Sequence, residues 1–286
     1  MDFRLIEKLH DRRAARNDWE RFYMGKPEKW ETLADFEARQ LTFLGQEKLV
    51  FATGAGPAVI LMAEMPGISE EQARLARWLR DAGFSVFMPH LFGEAMRPVT
   101  AVYALTTMAR ACMAREFAAF AANKSSPVTA WLRALAAHAH GERGGKGVGA
   151  IGMCFTGNFA LSMMLEKAML APVLSQPSLP MGDGAGLHIA PDELARVKAR
   201  LEAEDLTVKA YRFAGDRFCP AAKFEKYERA LGARFEGVTL PDSAANPNAR
   251  LKMPHCVLTS HLIDEPHQPT RQAVDDIIAF FRARLV

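Results

Sequence analysis

Cys154 lies in a stretch whose composition could present a reactive thiol at a sharp turn. The run Val148-Gly-Ala-Ile-Gly-Met-Cys-Phe-Thr-Gly157 starts as a small, apolar, strand-like segment and continues into residues that favour a helix. Where a strand turns directly into a helix the two backbones come close together, so small residues are needed on both sides of the turn. The side chain at the apex is then exposed. The sequence therefore predicts an elbow that presents Cys154 as a nucleophile.

A thiol attacks as its thiolate, which a helix N-terminus or a neighbouring histidine favours. Elbows of this kind are typical of α/β-hydrolases, in which an acidic residue and then a histidine follow the nucleophile along the chain. The run Val208-Lys-Ala-Tyr-Arg-Phe-Ala-Gly-Asp216 reads as a strand that ends in Gly-Asp, so Asp216 is the predicted acid. Asp242 follows the next strand and ranks second. A helix cap ahead of Pro220 is the alternative role for Asp216.

Two histidines qualify by chain order as the base. Both lie in Pro254-His-Cys-Val-Leu-Thr-Ser-His261, just before the C-terminal helix. Chain order alone leaves both His255 and His261 open, and whichever is not the base is expected to be structural. The remaining histidines precede the nucleophile or the acid, or open the last helix: His10, His90, His138, His140, His188 and His267.

An oxyanion hole needs two backbone N–H groups, one after the nucleophile and one from the loop after an early strand. Phe155 would supply the first. The second would come from Met65 in Ala63-Glu-Met-Pro-Gly67, where a strand opens into a loop. Glu64 would then place a carboxyl group beside this site, although an ordinary exposed loop glutamate is the alternative.

Apolar runs alternate with helical patterns along residues 41–286. Strands that read as continuous apolar runs and are separated by helices form a parallel sheet covered on both faces. The predicted strands span residues 41–44, 48–52, 57–63, 84–88, 148–151, 168–174, 207–213 and 235–240. The predicted helices span residues 69–83, 126–140, 155–167 and 269–284, and a further helix is predicted to start at Pro220. We therefore predict one α/β domain over residues 41–286.

Residues 1–40 differ from the rest in being rich in charged and aromatic side chains. Their apolar members recur at loosely helical spacing: Trp19, Phe22, Tyr23, Trp30, Leu33 and Phe36. Because so many aromatic side chains are costly to leave in water, we predict an N-terminal helical extension that packs on the main domain. A mobile arm is the alternative.

The bulk composition excludes several classes of protein. A hydrophobic fraction of 49% over 286 residues is sufficient for a globular core. No apolar run approaches the roughly 20 residues that span a bilayer, and the start lacks a signal peptide, so a cytoplasmic location is expected. A net charge of +3 with mixed acidic and basic residues argues against nucleic-acid binding. The four cysteines are widely separated, which disfavours a metal cluster or a disulfide framework.

Several of these segments together resemble the dienelactone hydrolase family of α/β-hydrolases. They are Ala63-Glu-Met-Pro-Gly67, residues 84–91 with Pro89 and Leu91, Gly152-Met-Cys154, Ala214-Gly-Asp216, and His255 followed by a small residue. The resemblance covers residues 41–286. It implies the α/β-hydrolase fold and a Cys-Asp-His triad at Cys154, Asp216 and His255. It also implies that Glu64 interacts with the thiol and helps to control its activation.

The chain departs from the family pattern at three positions. Thr156 replaces a glycine after the nucleophile and is small enough to be tolerated. The family grips a substrate carboxylate with two arginines, and the alignment places Glu94 and Thr259 at those positions. Because an acid there would repel a carboxylate, dienelactone itself is not the expected substrate. Arg97 and Arg217 are the candidate substitutes.

The sequence thus predicts a thiol hydrolase that acts on a small ester or lactone. No metal or organic cofactor is implied, and the sequence leaves the oligomeric state open. The alternative is an α/β-hydrolase-fold protein that has lost catalysis and binds a ligand or senses oxidants through Cys154.

Overall fold

The apolar runs of the sequence form the strands of one sheet in the computed structural model, which describes residues 33–286. The strands are β1 (Glu37–Phe43), β2 (Gln46–Thr53), β3 (Ala58–Leu61), β4 (Ser85–Pro89), β5 (Val148–Met153), β6 (Met169–Ser175), β7 (Val208–Phe213) and β8 (Phe235–Leu240). Their order across the sheet is β1-β2-β4-β3-β5-β6-β7-β8. The strands β1 and β2 pair in antiparallel fashion at one edge, and the other six run parallel. This is the predicted, mostly parallel sheet of an α/β-hydrolase fold.

Seven helices connect or flank the strands within the described residues. They are α1 (Glu70–Asp81), α2 (Ala101–Met113), α3 (Val128–Arg143), α4 (Phe159–Met163), α5 (Pro191–Ala203), α6 (Ala221–Leu231) and α7 (Pro269–Leu285). Helix α1 illustrates how local signals set the helix ends. At its start the Ser69 hydroxyl accepts a hydrogen bond from the Gln72 N–H, and after its end Gly83 adopts a φ of +99°. No helix in residues 33–286 is long and apolar enough to cross a membrane.

The parallel strands bring their carboxyl ends to one edge of the sheet. Four neighbouring strands, β3, β5, β6 and β7, are followed there by Glu64, Cys154, Gln176 and Asp216. The strands that carry them are fully or almost fully buried, so the sheet holds these segments rigidly. Ligand sites of open α/β sheets lie at this edge.

Several elements differ from the sequence-based prediction. Strand β1 begins at Glu37 instead of residue 41, and the helix after the elbow covers only Phe159–Met163, because a short helical turn at Cys154–Thr156 precedes it. The helices α2 and α5 were not predicted. Residues 1–32 of the predicted helical extension lie outside the described residues.

Candidate active site

Cys154 occupies the apex of a strained turn between β5 and a short helical turn. Its φ of +52° is a left-handed conformation, which is unfavourable for a residue with a Cβ atom. The flanking glycines explain how the turn closes. A Cβ atom at Gly152 would lie 2.3 Å from the Thr156 carbonyl oxygen, and one at Gly157 would lie 2.5 Å from Pro177 Cα. The local geometry therefore forms the predicted sharp turn, but the expected exposure of the apex is wrong, because Cys154 is buried and only 9% exposed.

Thr156 does more than fit into the elbow. Its buried hydroxyl accepts a hydrogen bond from the Met153 N–H at 3.0 Å and donates one to the Ala63 carbonyl oxygen at 3.1 Å. It thereby ties the elbow to the loop that follows β3. Only the small size of Thr156 was apparent from the sequence, because the role of its hydroxyl depends on contacts across the sheet.

Asp216 and His255 form a buried pair. The His255 Nδ1 atom lies 2.7 Å from Asp216 Oδ2, and the two residues are 3% and 2% exposed. The other carboxylate oxygen, Oδ1, accepts hydrogen bonds from the N–H groups of Phe218 at 2.9 Å and Cys219 at 3.1 Å. These three interactions fix the carboxylate, which in turn fixes the imidazole ring and places the Nδ1 proton between them.

The opposite face of the His255 ring is available for proton transfer. Its Nε2 atom is buried and has no hydrogen-bond partner among the described residues. Burial alone favours the neutral imidazole, but the charge of a Cys154 thiolate and the hydrogen bond with Asp216 together raise the pKa of His255 above its ordinary value. The ring is thus suited to hold a proton as an imidazolium ion.

The alternative residues occupy structural positions. The His261 Nδ1 atom accepts a hydrogen bond from the Cys256 N–H at 3.1 Å, and its Nε2 atom donates to the Leu251 carbonyl oxygen at 2.8 Å. Both ring nitrogens of His261 are therefore engaged by the backbone. The second candidate acid, Asp242, accepts a hydrogen bond from the Gly215 N–H at 2.7 Å. It stabilises the turn that carries Asp216.

The two predicted oxyanion donors flank the elbow. Phe155 follows Cys154 directly, and its ring packs edge-on against Phe92 and Phe117 at centroid distances of 5.6 and 5.4 Å. Met65 lies in the loop that Thr156 anchors through Ala63, and its N–H donates no hydrogen bond to any residue within 33–286. That N–H is therefore free to bind a substrate oxygen.

Glu64 is buried at this edge of the sheet, where only 7% of its surface is exposed. Its Oε1 atom is hydrogen-bonded to the Thr259 hydroxyl, and its Oε2 atom accepts a hydrogen bond from Gln176 Nε2 at 3.0 Å. Burial raises the pKa of Glu64, and the hydrogen bond with Thr259 and the charge of His255 only partly oppose this effect. The alternative of an exposed loop glutamate is wrong for Glu64.

Gln176 was not identified from the sequence. It follows β6 with a φ of +35°, and its N–H donates to the Tyr211 carbonyl oxygen at 2.7 Å. Its side-chain oxygen accepts a hydrogen bond from the Val257 N–H at 3.3 Å, while its amide nitrogen reaches Glu64. The available signal was a polar residue between a buried strand and Pro177, at the edge where the other candidates lie.

The two candidate arginines differ in their surroundings. Arg97 forms an ion pair with Glu94 at 2.6 Å, and its guanidinium group lies 4.3 Å from the centre of the Tyr103 ring. Arg217 is exposed and forms no hydrogen bond or ion pair within residues 33–286. The neighbouring Phe218 is 47% exposed, and its ring packs edge-on against His255 at 5.2 Å. The accessible side of the histidine is therefore bordered by an aromatic ring.

Metal-binding residue types do not converge at this site. Within residues 33–286, no group of three or more His, Cys, Asp and Glu side chains is arranged to hold a metal ion. The described chemistry consists of a thiol, an imidazole, carboxyl groups and backbone donors, which together suit nucleophilic attack on a carbonyl group.

Comparisons with known proteins connect this arrangement to one family. A sequence model of the dienelactone hydrolase family matches residues 47–179. No curated protein matches the chain. A dienelactone hydrolase from Anabaena variabilis ATCC 29413 superposes with a TM-score of 0.54 at 14% identity, over 88% of this chain and 98% of that one.

Two further solved structures share the fold. A cold-adapted esterase from an Arctic intertidal metagenomic library has a TM-score of 0.56 at 14% identity, over 88% of this chain and 94% of its own. A dienelactone hydrolase-like promiscuous phosphotriesterase from metagenomic libraries has a TM-score of 0.55 at 17% identity, over 88% of this chain and 100% of its own. At such identities the structural similarity shows a common fold, and the chemistry must be argued from the site.

Proposed function

Because the chain belongs to the dienelactone hydrolase family of α/β-hydrolases, we propose that it hydrolyses small esters or lactones through a thiol nucleophile. The observation that carries this proposal is the buried pair of His255 and Asp216, which leaves Nε2 of the imidazole without a partner in the described chain and close to Cys154. A histidine oriented in this way can exchange a proton with a neighbouring thiol.

In the first half of the proposed reaction, the Cys154 thiolate attacks the ester carbonyl carbon. The carbonyl oxygen becomes an oxyanion, which the N–H groups of Phe155 and Met65 stabilise. The bond to the leaving alcohol then breaks, and the imidazolium of His255 donates its proton to the departing oxygen. The product of this step is a thioester between the substrate acyl group and Cys154.

In the second half, neutral His255 removes a proton from a water molecule, which attacks the thioester. Collapse of the second tetrahedral intermediate expels the Cys154 thiolate and releases the carboxylic acid. Asp216 orients the ring throughout and stabilises its charged form. The thiolate and the imidazolium are restored, so the enzyme neither gains nor loses a proton over one turnover.

The surroundings of the site favour an uncharged substrate. Thr259 contacts Glu64, and Arg97 is paired with Glu94, so neither position offers a free cation for a substrate carboxylate. The exposed Phe218 ring beside His255 provides an apolar surface for an acyl or alkyl group. Arg217 is the cation that remains near this surface.

Hydrolysis of uncharged aryl esters by purified variants tests the proposal. Turnover should be lost in Cys154→Ser and His255→Ala, whereas the matched controls Cys112→Ser and His138→Ala should retain it. Cys112 lies on α2 and His138 on α3, both outside the site. Wild-type turnover in both site variants would refute the mechanism. Oxidation of Cys154 to a sulfenic acid without any ester turnover would favour the redox-sensing alternative.

A further inference from the structure

We propose that Glu64 is an uncharged carboxylic acid in the resting protein, that its burial between Thr259 and Gln176 without a cationic side chain keeps it so, and that it acts as a positioning residue which keeps a further negative charge out of the site around His255. The last part rests on the proposed thiol mechanism, whereas the protonation state of Glu64 does not.

The carboxyl group of Glu64 contacts uncharged polar groups. The Thr259 hydroxyl lies at Oε1, the Gln176 amide lies at Oε2, and the Cys256 thiol is a further hydrogen-bonding neighbour. Within residues 33–286 no lysine or arginine forms an ion pair with Glu64. A buried carboxylate without a cationic partner is strongly unfavourable, and such a group normally takes up a proton instead. Thr259 stands where the resemblance places an arginine, so this position supplies no cation to Glu64.

The orientation of the Gln176 amide is fixed independently of Glu64. Its oxygen accepts a hydrogen bond from the Val257 N–H, which forces the NH₂ group towards Glu64. The NH₂ group can donate to the carbonyl oxygen of a carboxylic acid, which leaves the proton on Oε1 beside Thr259. The Thr259 hydroxyl can accept as well as donate, so the acid proton also has an acceptor.

The charges around Glu64 act in opposite directions, and burial outweighs them. The titratable groups that act on Glu64 are His255 and Cys256 from the loop before α7 and Glu71 from α1; the charge of His255 lowers the pKa of Glu64, and the charge of Glu71 raises it. Burial raises the pKa of Cys256 well above its ordinary value, which leaves this thiol neutral. The Glu94 and Arg97 side chains pair with each other at the surface.

An ionised Glu64 would therefore increase the net negative charge of the site. In the proposed mechanism the triad already combines two negative charges, on Asp216 and Cys154, with a single positive charge on His255. A further buried carboxylate would add a third negative charge without a compensating cation among these groups. Protonation of Glu64 removes that repulsion and leaves the thiolate–imidazolium pair as the stable arrangement.

Infrared spectroscopy of the full-length protein at neutral pH tests the protonation state without turnover. The carbonyl band of a protonated carboxylic acid should appear in the wild type and be lost in Glu64→Gln. The matched control Glu94→Gln removes an exposed, paired carboxylate and should leave the band in place. If Glu64→Gln does not fold, Thr259→Val should shift the same band, because it removes one hydrogen bond to the carboxyl group. A spectrum without such a band, or a band unaffected by either site variant, would overturn the proposal.

The positioning role predicts a separate change in pH dependence. In the wild type, kcat/KM should fall at alkaline pH as Glu64 ionises, and in Glu64→Gln this fall should move to higher pH. An unchanged alkaline limb would overturn the positioning role. Because the infrared band does not require activity, failure of the proposed ester hydrolysis can be distinguished from failure of this inference.

Discussion

The Nδ1 atom of His255 lies 2.7 Å from Oδ2 of Asp216, in a position where both side chains are buried. The two residues are 39 positions apart in the sequence and come from loops that follow β7 and β8. Their contact fixes the orientation of the imidazole ring, because it turns the other ring nitrogen of His255, Nε2, away from the acid.

Asp216→Asn should lower kcat for ester hydrolysis by about 10³- to 10⁴-fold, because an amide no longer stabilises the required tautomer and charge of the imidazole. Asp242→Asn is the matched comparison. Asp242 stabilises the neighbouring Gly215 turn and does not contact the imidazole ring, so the decrease in kcat should be much smaller in Asp242→Asn. Equal losses in the two variants, measured by steady-state kinetics, would argue against Asp216 as the orienting acid.

Gly157→Ala should destabilise the protein by about 1–3 kcal/mol, because the new Cβ atom must displace the backbone at Pro177. Gly141→Ala is the control, since a Cβ atom there meets nothing within 4 Å and alanine favours the helix. It should be neutral or raise the free energy of unfolding by up to about 1 kcal/mol. Urea denaturation measures both, and a Gly157→Ala protein as stable as the wild type would contradict the packing described for the elbow.

Thr156→Val should cost about 1–3 kcal/mol, because it leaves the Met153 N–H and the Ala63 carbonyl oxygen without their hydroxyl partner in a buried position. Thr156→Ser keeps the hydroxyl and should lose much less. Thermal denaturation of both variants provides the comparison. If valine and serine were equally tolerated, the link between the elbow and the Met65 loop would have no energetic role.

The pKa shift of His255 predicts how its contribution to stability depends on pH. Since the folded pKa is raised above the ordinary value of 6.5, the protonated ring stabilises the fold fully below about pH 6.5. This contribution declines as the pH rises through the folded pKa. The difference in unfolding free energy between the wild type and His255→Gln should therefore shrink above pH 6.5. A difference that grows with pH would reverse the predicted sign.

The raised pKa of Glu64 predicts that stability changes in a different pH range. Below the ordinary value of 4.5 both the folded and the unfolded chain carry the proton, so burial has no ionisation penalty. As the pH rises above 4.5 the unfolded chain ionises first, and the wild type should lose stability relative to Glu64→Gln until the folded pKa is reached. Equilibrium denaturation at several pH values measures the trend. A constant difference between the two proteins would contradict a raised pKa.

The strands and the elbow were predictable because their signals are local. The apolar run at β5, its glycines and the apex cysteine lie within ten consecutive residues, and chain order then pointed to Asp216 and His255. The helix α5 was missed although Pro191 at its start and two acidic residues in its first turn provide a helix-start signal. The helix α2 has exposed apolar side chains, which hide the usual periodic pattern.

The partners of Glu64 were less accessible from the sequence. Thr259 was recognised only as the absence of an arginine, and its hydroxyl contact depends on how the loop before α7 meets the end of β3. Gln176 connects Glu64 with Val257 across neighbouring strands, and no local pattern encodes such a contact. Roles that depend on spatial neighbours from three different loops require the folded structure.

Trapping of the acyl-enzyme is the measurement that tests the thiol mechanism most directly. We would mix the wild type and Cys154→Ala with an uncharged aryl ester, quench at early times, and locate the added acyl mass by peptide mass spectrometry. The thiol mechanism predicts a transient thioester on the peptide that carries Cys154 in the wild type, at a stoichiometry near one per chain, and no such adduct in the variant. Ester turnover in the wild type with no acyl group on Cys154, or equal turnover in Cys154→Ala, would contradict it.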